Sequence, residues 1–443
     1  MRVRLLSLLI MFGLLAGSCG AVRPEPLAFV DEDARPGQSV IRVATWDATA
    51  LTPAIEAWEA EHPTARVVVE IRSLGDHHAD ALDASTPPAD VIAVDARYSA
   101  DFRDRTDLFA DLSDVLDNIE PSVDWRAAEG IADDGTVTAI AIDTGGLALA
   151  VRTDLLAEVD DPDSGGTLAR AIESVDDWCG LIELGDLYSE TTGRPFLPSA
   201  ADVFEIVLTQ QDSRLVDADG ARIHADSDAV QLAWETAMLA IGVPTADRQF
   251  DDPCPDLPTT KRITAARAPL TASWEQSIAA GDVAAVPAPS WMLERIRTAA
   301  PNTTGEWTLV PVPGGPVSIG GTALAVSSAS NHDALARDLL EHLARPTTQS
   351  TTFREFGHLP AAAARYDVPA VLDHREPFFD ETPIGSRYID SIDGYEPAAD
   401  APQDQAVMEQ FRAAVARVDA GTQTPAEAWA EALWRIDLLI DDD

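Results

Sequence analysis

Lysine is almost missing from this chain. Of 31 basic residues only Lys261 is a lysine, and 75 acidic residues oppose them, for a formal net charge of −44. A surface so poor in positive charge cannot neutralise a phosphate backbone, which excludes nucleic acid as a partner. It repels itself at low salt and tolerates high salt. A saline or alkaline habitat and compositional drift in a GC-rich genome account equally well for arginine in place of lysine. Cysteine is scarce too: Cys19, Cys179 and Cys254. The two that follow Cys19 are too few thiols for a structural metal site. No phosphate-binding loop, nucleophile elbow or HExxH occurs. Asp76-His-His-Ala-Asp80 is not read as a metal site, because adjacent histidines point in different directions. We expect neither a metal nor a cofactor. No apolar run reaches the ~20 residues that a bilayer core demands.

The longest uncharged apolar stretch, Leu5 to Leu15, follows Arg2 and Arg4 and runs through Ala16-Gly-Ser18 into Cys19. That order of charge, apolar run and small residues is a signal-peptide layout. It resembles the bacterial lipobox, whose cysteine is lipidated before cleavage, although Ala16 stands where that box prefers a larger aliphatic residue. The resemblance implies a mature chain starting at Cys19 and anchored through it to the outer face of the cell membrane; an ordinary secretory signal is the plainer alternative. Residues 19–38 hold Pro24, Pro26 and Pro36 and little that could pack, so they read as a tether.

Roughly 400 residues remain, enough for two lobes. Val40–Thr45 and Val67–Ile71 are strand-like and flank a helical pattern opened by Thr52-Pro53, a β-α-β unit. Asp90–Asp95 is short and apolar, as a doubly covered parallel strand would be, and Thr136–Ile142 is a fourth run. Helical patterning dominates Thr153 to Ala240; strand-like segments return at Val283–Val286, Trp307–Val312 and Thr322–Val326 before helices close the chain. Strands near both ends of the chain around a helical middle predict an α/β protein of two lobes, each assembled from discontinuous segments. Ligands of such folds sit in the cleft at the C-terminal ends of the strands. Outside the cytoplasm Cys179 and Cys254 are expected to form a disulfide; two separate buried thiols are the alternative.

Several segments together resemble the extracellular solute-binding proteins of bacterial ABC importers, in the large family that delivers sugars and oligosaccharides. They are Thr45-Trp-Asp47, Ala89–Asp95, Thr136–Arg152, Trp274–Val286, Pro289–Met292, Pro311–Gly315 and Gly320–Ser327, in that order behind the lipobox. The resemblance implies a periplasmic-binding-protein fold of two lobes that close on a ligand about a hinge, and delivery to permease transmembrane subunits rather than catalysis. With it we expect residues 39–142 plus 287–345 to form lobe I, residues 143–286 plus 346–443 to form lobe II, and the protein to act as a monomer. Ile140-Ala-Ile-Asp143 departs from the proline and aromatic often found at that point of the family. No two tyrosines are adjacent, which speaks against the paired-tyrosine ferric-binding version of the fold.

A sugar presents apolar C–H faces and a ring of hydroxyls, so its site needs flat aromatics together with charged and amide groups. Of ten tryptophans, Trp58, Trp234, Trp429 and Trp434 fall in helical patterns and are assigned to the core, as is Trp307. Trp46, Trp274 and Trp291 are expected at strand ends or in turns, facing a cleft. Asp47, Asp95, Arg97 and Asp143 each follow or end a strand-like run, and Gly320-Gly321 lets backbone amides approach a ligand. Helix capping, surface ion pairing and a plain turn are the plainer roles for these residues. A secreted glycosidase with two carboxylates, a sensory lipoprotein, and a polyol or polyamine binder are the competing functions.

Overall fold

A computed structural model of the chain describes residues 37–441, apart from 84–88, 162–164, 212, 214, 218–222, 258–260 and 399–400. Cys19, the signal-like segment and nearly all of the tether lie outside the described residues. The elements that matter, in chain order, begin with β1 (Ser39–Thr45), α1 (Thr52–Glu61), β2 (Ala65–Ile71), α2 (Leu74–Leu82) and β3 (Val91–Asp95). After β4 (Ile140–Ala141), β5 (Asp143–Thr144) and β6 (Leu147–Arg152) come the helices α3 (Trp178–Thr192), α4 (Ala200–Thr209), α5 (Asp228–Ile241) and α6 (Ala272–Ala280). Then follow β7 (Ala285–Pro289), β8 (Trp307–Pro311), β9 (Thr322–Val326), α7 (Asp333–Ala344), α8 (Pro346–Phe356) and β10 (Leu359–Pro360). The chain closes with α9 (Ile384–Ile392), α10 (Asp404–Asp419) and α11 (Pro425–Asp441). Among the described residues no helix is long and apolar enough to cross a membrane.

Two sheets organise the molecule. The first has the order β2-β1-β3-β9-β4, with β1 parallel to β2 and β3, and β9 antiparallel to β3 and β4. Every residue of β3 is buried, because helices and loops cover both faces. The side-chain period of two sends Val91 and Ala93 into a core shared with α1 and α7, and Ile92 and Val94 into a smaller one with Phe102 and Phe109. The second sheet has the order β8-β6-β7 and is antiparallel. Its central strand is likewise two-faced. Leu147, Leu149 and Val151 enter the large core built with α3, α4, α5, α10 and α11, while Ala148 and Ala150 let the opposite face pack closely on Trp274, Trp307 and Tyr388.

The strands of the first sheet come from 39–141 and 322–326, those of the second from 147–311. The chain therefore passes between lobes at 142–146 and again at 312–321, and a third time where α7 gives way to α8. Residues 287–311, expected in lobe I, belong with the second sheet: Leu147 pairs with Pro289 and Pro311 with Ala148. Strand propensity identified these runs but not their partners. Of Thr136–Ile142 only Ile140–Ala141 is strand, and Trp434, assigned to the core, is 59% exposed on α11. Cys179, in the first turn of α3, is bonded to Cys254, closing a separation of 75 residues. Capping fits the sequence: Thr424 accepts from the Glu427 amide while Glu427 accepts from the Thr424 amide, a capping box at the start of α11.

Candidate functional site: the cleft between the lobes

On the first lobe the strand ends supply a clamped charge. Asp95, the last residue of β3, turns its carboxylate back to accept from the Arg97 amide (3.0 Å) and from Arg97 Nε (2.9 Å) and Nη2 (3.0 Å). Burial pushes the Asp95 carboxyl up, but the charge and hydrogen bonds of Arg97 outweigh it and hold it below the ordinary range. Beneath it, His78 donates from Nδ1 to the Leu74 carbonyl (2.8 Å), accepts the Asp95 amide at Nε2 (3.1 Å), and stacks on Tyr98 with ring centres 4.0 Å apart. Burial drops its pKa to about 4, so the ring is neutral. His77 is turned to the Ala93 carbonyl (2.6 Å), so each of the two adjacent rings is engaged with backbone.

The floor is the second crossing between lobes. Gly320 (φ +71°) and Gly321 (φ +117°) adopt backbone that favours glycine. A Cβ on Gly321 would stand 3.2 Å from the Asp143 carbonyl oxygen and 3.3 Å from Arg126 Nη2. Trp291 donates from Nε1 to the Ile319 carbonyl (2.9 Å), leaving its ring faces as the surface it offers. Asp143 accepts from the Thr322 amide (2.5 Å) and from His358 Nδ1 (2.6 Å), which ties the first crossing to β9 and to the end of α8.

The opposite wall is α4 with α10. Arg412 bridges Asp202 (3.3 Å) and Glu205 (3.1 Å), and Glu205 lies 3.9 Å from Arg97 across the cleft. Burial raises the Asp202 carboxyl to about 7 in spite of Arg412. Tyr98 donates to Glu409 (3.0 Å), Gln403 donates its amide to Asp101 (3.1 Å), and Arg295 pairs with Asp47 (2.7 Å), so the lobes touch through several polar contacts.

These walls enclose a cavity of about 130 Å³ with Arg97, Trp125, Glu129, Glu205, Gly320 and Tyr395 among its lining. Trp125 and Tyr395, ring centres 5.1 Å apart and nearly perpendicular, also line a more open space of about 550 Å³ at its mouth. A third chamber, about 220 Å³, shares Arg97, Glu205 and Ile319 with the first and contains Trp291.

The structure distributes the expected residues unevenly. Arg97, Gly320 and Trp291 line the connected cleft. Asp95 and Gly321 do not line it; they position Arg97 and the floor. Asp47, Asp143 and Trp46 line a separate cavity of about 50 Å³ beside His358, where the Trp46 ring packs on His77 and His78. Trp274 is a correction: it is 1% exposed in the core behind β7, on a helix capped by Thr271, and reaches no cleft. Trp125, Glu129, Glu205 and Tyr395 were not anticipated. Trp125 sits on a one-turn helix and Tyr395 in a loop, neither marked by a strand end.

Residues 54–377 match the family model described as bacterial extracellular solute-binding protein. A solved extracellular solute-binding protein of family 1 has a TM-score of 0.72 at 21% identity, over 90% of this chain and 99% of that one. The GacH receptor of Streptomyces glaucescens, solved unliganded and with acarbose, has a TM-score of 0.68 at 20% identity, over 91% and 99%. The ABC transporter associated binding protein from B. animalis subsp. lactis, solved with β-1,6-galactobiose, has a TM-score of 0.71 at 16% identity, over 91% and 98%. No curated protein matches. The two-lobe α/β architecture with its interlobe cleft and the family match over most of the chain agree, and this protein belongs to the bacterial extracellular solute-binding protein family.

Proposed function

We propose that this protein captures a carbohydrate outside the cell and hands it, chemically unchanged, to the transmembrane subunits of an ABC importer while a lipid on Cys19 holds it at the membrane. The observation that carries the reading is the aromatic pair Trp125 and Tyr395 facing a cavity edged by Arg97, Glu129 and Glu205. Rings of this kind stack on the C–H faces of a sugar, and guanidinium and carboxylate groups bond its hydroxyls. The ligands named for the neighbouring structures, acarbose and a galactobiose, fit the same chemistry. Arg97 reaches the ligand, Asp95 fixes the guanidinium plane, and Gly320 keeps the floor low enough for a ring to rest on it. Of the cleft carboxylates, Glu129, Asp202 and Glu205 are engaged with arginines and Asp404 accepts from the Val216 and Ala401 amides, as suits hydrogen bonding better than acid-base turnover.

Calorimetry across a panel of mono- and oligosaccharides tests the reading. Trp125→Ala should weaken the sugar that binds by about tenfold, since stacking beyond area burial is worth about 0.5–1.5 kcal/mol and 1.4 kcal/mol is a decade. The melting point of the ligand-free protein should barely move, because Trp125 is only partly buried. Failure of every sugar to bind, or recovery of cleaved sugar after long incubation, would sink it. For the anchor, Cys19→Ala should release the protein into the medium.

A further inference from the structure

The chamber on the far side of Arg97 and Glu205 has a different chemistry from the aromatic one. At about 220 Å³ against about 130 Å³ it is also the larger of the two. Leu147, Ile206, Pro269, Leu270, Pro287 and Met292 line it. Apart from the weakly accepting Met292 sulfur, none of these side chains can bond a hydroxyl. Its polar neighbours are mostly engaged already: Arg412 with Asp202 and Glu205, Arg97 with Asp95, and Trp291 Nε1 with the Ile319 carbonyl, while Arg412 Nε has no partner among the described residues. A sugar ring pushed into this space would shed water from its hydroxyls and gain few bonds in return, which is unfavourable. An alkyl or aromatic group has no hydroxyls to strip of water and gains contact with the apolar lining. At the rim, Leu270 is 50% exposed and held at φ +60°, a conformation that disfavours a side chain, and Leu74 faces it from the first lobe.

From this two-sided cleft we infer that the natural ligand is amphipathic: a glycoside whose sugar rests against Trp125 and Tyr395 and whose apolar aglycone fills the chamber lined by Leu147, Ile206 and Leu270. The inference rests on the carbohydrate reading but is separable from it. Octyl glycosides below their micelle concentrations and the corresponding free sugars are titrated against the full chain by calorimetry. The octyl form should bind at least tenfold more tightly than its free sugar. In a Leu74→Ser, Leu270→Ser double variant, both at accessible rim positions, that advantage should shrink to less than threefold while free-sugar affinity stays within twofold. Octyl forms that bind no better than free sugars overturn the inference. Fluorescence of N-phenyl-1-naphthylamine supplies the second readout, independent of any sugar. Enhancement by the wild type that is lost in the double variant supports the apolar chamber; equal enhancement by both proteins overturns it. If the probe behaves as expected but no glycoside or sugar binds, the carbohydrate reading falls and the apolar chamber stands.

Discussion

Replacing Asp202 by Asn should steepen the dependence of stability on pH, and the expected change follows from two buried groups. Asp202 is 9% exposed, and its carboxyl is raised from 3.8 to about 7, chiefly by burial. The folded protein thus holds a proton there that the unfolded chain releases, so stability falls as pH rises from about 4 to about 7. At 1.36 kcal/mol per pH unit the cost is about 4 kcal/mol once both states are ionised. His78 acts in the opposite sense. Its pKa falls from 6.5 to about 4, so the unfolded chain takes up a proton first and stability rises with pH over that window, by about 3 kcal/mol. In the wild type these two slopes oppose each other, and His77 and His342, whose pKa values burial also lowers, add to the rising one. Asp202→Asn removes the falling one. Urea unfolding at half-unit steps from pH 4.5 to 8 should show the variant's stability climbing relative to the wild type by about 3 kcal/mol toward pH 6.5. Above pH 7 the variant should be more stable than the wild type, by an amount reduced by the lost pairing with Arg412. A variant with the wild-type slope would refute the assignment of the proton to Asp202.

Other outcomes are equally specific. Trp274→Ala should cost about 3–5 kcal/mol in denaturant unfolding while the folded fraction binds sugar with unchanged affinity, as a core residue demands and a cleft residue forbids. Opening the Cys179–Cys254 link by a double change to Ser should cost about 4.5 kcal/mol on the chain-entropy model for a separation of 75, and mass spectrometry without reductant should find no titratable thiol on either residue of the wild type. Gly321→Ala, at φ +117° and with the Asp143 carbonyl 3.2 Å from the new methyl, should lower stability by about 1–3 kcal/mol, readable as a falling melting point.

Much of the fold could be read from the chain because its strands are short, β-branched and bounded by turn residues; β9 falls on Thr322–Val326 as expected. The end of β3 then located Arg97 on the cleft, since a parallel strand delivers its last residues to the edge where ligands bind, and the paired glycines, which let backbone approach closely, located Gly320. What pairs with what was not legible. Nothing local in Ala285–Pro289 says that it lies beside Leu147–Val151 rather than in the first sheet, because register between distant segments is set by packing. The sequence does carry a helical signal at Trp274: Thr271 is a good N-cap, and Trp274 and Ile278 sit four apart, as a helix requires. Trp125 and Tyr395 offered no such signal. They meet only because a one-turn helix of the first lobe and a loop after α9 converge in space.

The polar contacts across the cleft also set how long it can stay shut. Asp47 and Arg295, and Arg97 and Glu205, join the lobes through side chains that solvent still reaches in three cases of four. An exposed pair such as Asp47–Arg295 contributes about 0–1 kcal/mol and weakens further as salt screens it, and Arg97 and Glu205, 3.9 Å apart, are not in hydrogen-bond contact. A few such catches amount to a handful of thermal quanta, so an empty clamp held by them alone springs open on the microsecond-to-millisecond scale of hinge motions. The dwell time of the shut state then belongs to the cargo rather than to the container. At high salt the lobes should therefore part more readily, and a ligand that touches both walls of the cleft would hold them together for longer.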